Sequence, residues 1–316
     1  MQQFIKSAAL ILLLYSNISF SGPWFTGPLL APAGHTVPRG HTNFEFYAID
    51  VKSNGAYNSN GELIHSPLFS SFVANPIITH GFTDWLDVQL TVPYVFNDTM
   101  HVQHNGLADT TVSVGLQLVN QNESTWKPDV RILIQETFPT GSFQDLNPNE
   151  LGTDSTGLGS YETQIGLNLQ LLSSVFETHY LRTRLILTHL FTSAVHVHGV
   201  NSYGGTRTTN GRIAAGGENA ADLAFEYTLT QHWVAVMEGY IAHGTETRFD
   251  GVIEIGDLGG PSPAIGGGPF SEVGLAPALE YNFNPNIGVI GGVWFPVAGS
   301  NTAHFMAYTL ALNAYW

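Results

Sequence analysis

At 316 residues, with 11% charged and 43% apolar side chains, the chain carries neutral polar surface where a soluble protein carries salt; the usual charged share is roughly 25%. A formal charge of −15 with no basic run excludes nucleic acid as a partner, because phosphate binding needs clustered Lys and Arg. Cysteine is absent, which fits an oxidising compartment where an unpaired thiol is a liability.

Residues 1–21 read as a cleavable secretory signal peptide. Lys6 supplies the positive start, Ser7 to Tyr15 an apolar core too short to span a bilayer, and Ser19 and Ser21 the small residues before a cut ahead of Gly22. No later stretch reaches the ~18 apolar residues of a transmembrane helix, so the expectation is an exported chain with no helical anchor. Residues 22–41 are rich in Pro and Gly, which excludes a regular helix or a central strand. Within them Trp24, Phe25, Leu29 and Leu30 call for apolar cover, either as a plug in a barrel mouth or under periplasmic turns. The plain alternative is a leader that disorders after cleavage.

From residue 42 onward the period is two. Leu86, Val88, Leu90, Val92, Tyr94 and Phe96 alternate with Asp87, Gln89, Thr91 and Pro93, and Tyr161 to Leu171 repeats the pattern. The predicted strands are 42–51, 68–80, 85–96, 107–120, 128–139, 159–172, 178–193, 216–229, 232–244, 271–283, 286–297 and 303–316, with Pro76 interrupting the second. Most run to ten residues or more, the length of transmembrane strands (~9–11) rather than of sandwich strands (~5–6). Short connections such as Thr83-Asp84 and Thr230-Gln231 alternate with long Gly- and Asn-rich ones at 50–66, 140–158, 194–214 and 245–269. The predicted fold over residues 42–316 is all-β: a transmembrane, antiparallel, up-and-down β-barrel of about 12 strands with short periplasmic turns.

The C-terminal strand places Met306, Tyr308, Leu310, Leu312, Ala314 and Trp316 on one face. A terminal aromatic with apolar residues at alternate positions before it resembles the signal read by barrel-assembly machinery. Tyr308, Leu310, Leu312 and Trp316 are therefore the expected assembly signal. This strand must pair with the one near Thr42 to Val51 for no edge to remain.

Charges in the strands are expected to face the lumen, since a lipid-facing charge costs about 2–4 kcal/mol at mid-bilayer. That places Glu45, Asp87, Asp109, Glu238, Glu272 and Glu280 inside, together with a predicted lumen network of Arg131, Glu162, Arg182, Arg184, Asp222 and Glu226 on four consecutive strands. Such a network either orients polar solutes or neutralises itself as a structural element. The His101/His104 and His196/His198 pairs are expected in external loops, and no carboxylate completes a metal site around either. A barrel lipid hydrolase would need a nucleophilic Ser beside His104-Asn105-Gly106, and that Ser is missing. A Gly-x-Ser-x-Gly elbow is absent too.

Three segments resemble the outer-membrane β-barrel family labelled as transporters of the meta-pathway of phenol degradation. They are His80-Gly81-Phe82-Thr83-Asp84-Trp85-Leu86-Asp87 with Val92-Pro93-Tyr94, Gly106-Leu107-Ala108-Asp109, and Phe138-Pro139-Thr140-Gly141. The resemblance implies a barrel concerned with passage of small molecules, hydrophobic or aromatic ones among them, and brings no residue-level binding motif.

The expectation is thus a non-enzymatic channel or transporter in the outer membrane of a Gram-negative bacterium, needing no cofactor. Its partners would be outer-membrane lipid and lipopolysaccharide, the assembly machinery and a small solute. The alternatives are a surface-binding or structural barrel without transport, or a lipid hydrolase.

Overall fold

The computed structural model describes residues 22–122, 127–176, 178–252 and 265–316. The expected signal peptide and residues 253–264 of the 245–269 connection lie outside the described residues. In chain order the strands are β1 (Thr42–Tyr57), β2 (Leu63–Thr83), β3 (Leu86–Thr91), β4 (Tyr94–Thr99), β5 (Val102–Leu107), β6 (Thr110–Val119), β7 (Asp129–Phe138), β8 (Glu162–Phe176), β9 (His179–Thr192), β10 (Val195–His198), β11 (Asn210–Ala214), β12 (Glu218–Thr228), β13 (Trp233–Gly244), β14 (Arg248–Val252), β15 (Phe270–Asn284), β16 (Ile287–Ser300) and β17 (Thr302–Tyr315).

Fourteen of them form one sheet in the order β1-β17-β16-β15-β13-β12-β9-β8-β7-β6-β3-β2-β4-β5, and β1 also pairs with β2. Because β3 and β4 are successive lengths of one stave, and β5 and β6 of the next, the wall is a closed antiparallel barrel of 12 strands. Closure runs through β1 and β17, with Asn43 opposite Tyr315. Beyond that pair the Thr42 N–H donates to the Trp316 carbonyl at 2.7 Å, and the Trp316 N–H returns to Thr42 at 3.0 Å. No edge is left at this seam, as a barrel in lipid requires.

The alternation sorts the faces. Phe46, Ile78, Leu90, Ile134, Leu187, Met237 and Leu310 point outward and are exposed, a band that only lipid would cover. Exposed aromatic rings edge it, with Phe82, Trp85, Phe176, Trp233, Phe283 and Trp316 at the short-turn end and Phe96, Phe138, Tyr161 and Phe191 at the other. Pro76 does not break β2. It sits where the partner of β2 changes from β3 (Ile77 opposite Thr91) to β4 (Ala74 opposite Tyr94), facing the Val92-Pro93 interruption. The donor that proline lacks falls at a gap in the ladder, so little is lost.

Several expected loops are ladder instead. The 50–66 connection is strand as far as Tyr57 and again from Leu63; its two arms pair with each other, the first also pairs with β17, and the ladder is bulged between Ser53 and Gly55. An antiparallel ladder satisfies its own backbone, so polar sequence beyond the membrane need not end it. His104 lies on β5, and His196 and His198 lie on β10, rather than in loops. Met100 and His101 form the tight β4–β5 turn with φ of 50° and 70°, the left-handed pair that a two-residue hairpin of this hand needs. β10, β11 and β14 make a separate three-stranded sheet at the long-loop end. Its buried Val195, Val197 and Ile213 pack against Phe143, Tyr203 and Phe249, drawing three of the long connections into one small core.

Candidate functional site: the lumen and the strap that crosses it

Residues 22–41 lie inside the barrel, near its short-turn end, as a strap along the inner wall. Four prolines at 23, 28, 32 and 38 keep the strap out of the ladder, and its remaining buried N–H groups need acceptors. Inward side chains supply them. The Glu280 carboxylate accepts from Thr26 (2.8 Å) and Gly27 (3.3 Å). Glu238, fully buried, accepts from Leu29 (2.5 Å), Leu30 (3.1 Å) and Ala31 (2.9 Å). Further along, Gln117 accepts from Thr36 and Asp87 from Val37, both at 2.8 Å. The strap carbonyls are met by arginines: Arg184 donates to Ala31 and Arg131 to Ala33, each at 2.9 Å.

Packing follows the same line. Leu29 is buried among Val234, Val236, Ala276, Ile290 and Ala311, and Ala31 among Ile186 and Ala224. Small inward residues make that approach feasible. At Gly292 on β16 an added Cβ would run into the Leu29 side chain and the Pro277 carbonyl. Phe25 lies under the Arg182 guanidinium, whose Cζ is 4.1 Å from the ring centroid, a cation–π contact in a desolvated place.

The predicted lumen charges divide into groups. Arg182 and Arg184 converge on the fully buried Glu226. Arg182 Nε donates to Oε2 at 2.6 Å and Nη2 to Oε1, while Arg184 Nε lies 3.3 Å from Oε2. Arg131 instead pairs with Asp87 at 2.7 Å, both buried. Asp222 faces Tyr240 across the β12–β13 ladder, and its buried Oδ1 has no hydrogen-bond partner among the described residues. Glu162 does not join the network. It opens β8, six positions from the Asn168 that faces Arg131, a rise of about 20 Å at strand geometry. Alternation fixes which face a side chain takes, whereas its height depends on register. Glu238 and Glu280, expected inside but assigned no task, are the main acceptors for the strap. The available signal was that neither had a basic residue opposite it on a neighbouring strand.

Beside the strap runs a cavity of about 1000 Å³. It reaches from Asn43, Pro285 and Tyr315 at the short-turn rim to Glu218, Phe270 and Glu272 towards the other end. Tyr47, Tyr240 and Trp294 contribute rings to its wall, and Gln89, Gln135 and Gln164 contribute amides.

A closed antiparallel wall with an apolar outer band, aromatic rims and a polar interior defines an outer-membrane β-barrel of porin-like build. The sequence matches no protein-family model and no curated protein. Among solved structures the chain is similar to an outer membrane channel from Pseudomonas putida F1, at 15% identity and a TM-score of 0.70, over 91% of this chain and 100% of that one. It is more distantly similar to the transport unit of the autotransporter AIDA-I from Escherichia coli, at 9% identity and a TM-score of 0.46, over 87% and 90% of the two chains. The translocator domain of the autotransporter NalP from Neisseria meningitidis gives 10% identity and a TM-score of 0.44, over 86% and 88%.

Proposed function

We propose that the barrel is a passive outer-membrane channel for small solutes, narrowed at its periplasmic half by the strap. The observation that carries this reading is the cavity, because one space borders both the short-turn rim and the carboxylates near the opposite end. Rings along it favour hydrophobic or aromatic solutes among those admitted, in keeping with the resemblance to phenol-pathway transporters. The reading includes export behind a cleaved signal peptide and insertion through Tyr308, Leu310, Leu312 and Trp316, three of which project into the lipid band and the fourth at its rim. The test is single-channel recording of the purified full-length barrel in planar bilayers, beside a variant lacking residues 23–37. Current in the wild type, larger in the variant, is expected. If neither conducts, the channel reading fails, and the folded three-stranded sheet at the long-loop end makes a surface-binding barrel the better account.

A further inference from the structure

Charge is not spread evenly along the cavity. Three arginines line it, Arg131, Arg182 and Arg184, and each is spent at the level of the strap. Arg131 holds Asp87 and the Ala33 carbonyl, while Arg182 and Arg184 share Glu226, with Arg184 also on the Ala31 carbonyl. Towards the long-loop end the cavity wall carries Glu218, Asp222 and Glu272, and no ion pair engages any of them among the described residues. Asp222 Oδ1, a buried atom, accepts no hydrogen bond among the described residues. Arg184, on the strand beside it, is the nearest basic residue by register and is already turned to Glu226 and the strap.

Aromatic faces stand with these carboxylates. Tyr240 lies opposite Asp222 in the ladder and donates to Glu272, which Thr302 also reaches. The Tyr240 and Trp294 rings meet edge to face with centroids 6.0 Å apart, and Phe270 lines the same wall. Carboxylates without cationic partners, in a space bounded by protein, focus a negative potential along the path. Ring faces add attraction for a cation that has shed water. An anionic solute meets repulsion there, and a neutral one gains nothing from the charge.

We infer that the solutes this channel favours are small organic cations, ammonium compounds with an alkyl or aryl group, recognised by Asp222, Glu218 and Glu272 beside Tyr240 and Trp294. The inference deepens the channel reading and rests on it for transport, though not for binding. The test uses the full-length barrel and a triple variant, Glu218→Gln, Asp222→Asn and Glu272→Gln, with folding checked by the gel shift between unheated and heated samples. Under a potassium chloride gradient the wild type is expected to prefer cations, and the variant to lose about tenfold of that preference. An anion-selective or unselective wild type, or a folded variant with unchanged selectivity, overturns the inference. Binding is read separately, by quenching of tryptophan fluorescence with benzyltrimethylammonium. Saturable quenching in the wild type that the variant lacks supports the inference even if no current flows, in which case the channel reading alone has failed. Quenching that is absent, or equal in both, overturns it. Should the triple variant fail to fold, Asp222→Asn alone carries both measurements, because Asp222 Oδ1 has no hydrogen bond to lose among the described residues.

Discussion

Arg131 and Asp87 form a buried ion pair at 2.7 Å although their strands are not neighbours. β6 runs between β3 and β7, and where the two side chains meet it presents Gly115. An added Cβ would strike the Arg131 guanidinium and the Asp87 carboxylate together. The pair exists because the stave between its partners carries no side chain.

Gly115→Ala should therefore separate two buried charges without altering either. Overpacking of this kind costs about 1–3 kcal/mol. Denaturant unfolding of the detergent-solubilised barrel, followed by the gel shift of unheated protein, should show the loss. A variant as resistant as the wild type would show that the pair has room to move aside.

Glu238→Ala takes the acceptor from three consecutive strap N–H groups, at Leu29, Leu30 and Ala31. Each orphaned buried donor costs about 1–3 kcal/mol, enough to loosen the strap while the wall keeps its ladder. Trp24 emission, isolated by difference against Trp24→Phe, should shift to the red, and protease should reach residues 22–41. Unchanged emission together with full protection would mean that apolar packing of Leu29 holds the strap unaided.

Arg182→Ala and Glu226→Ala should differ in degree. Loss of Arg182 leaves Glu226 with Arg184, whereas loss of Glu226 leaves two buried guanidinium groups without their carboxylate. Breaking a buried pair from one side costs about 3–5 kcal/mol, so Glu226→Ala should be the less stable. Arg182→Ala should still lower stability or alter conductance, and wild-type behaviour in both assays would remove the cluster from any role.

Deleting Trp316 removes both backbone bonds to Thr42 and an exposed indole at the short-turn rim. The folded fraction recovered from outer membranes should fall before any change in the current per folded barrel. Trp316→Phe keeps the backbone bonds and an aromatic ring and should restore assembly. Equal yields of the deletion and the wild type would place the closing contribution elsewhere on β17.

Much of the barrel is legible in the sequence, because the period of two is a local property. Leu86 to Phe96 and Tyr161 to Leu171 declare their lipid and lumen faces without reference to any other strand. The inward placing of charged residues follows from the cost of exposing them to lipid, and that too needs no partner. What alternation leaves open is height, and with it every pairing in the lumen. Glu162 has the right face and lies about 20 Å along the strand from the level of Arg131, whose partner is Asp87 across a glycine. Pro76 reads in the sequence as an interruption, and the register sets it opposite another, at Val92-Pro93. The strap could be read as too rich in proline for the ladder, but not as the ligand of Glu238 and Glu280, more than 200 residues away in the chain. Those relationships depend on ladder register and ring closure, which bring distant segments to one level of the lumen, and only the tertiary structure sets that level.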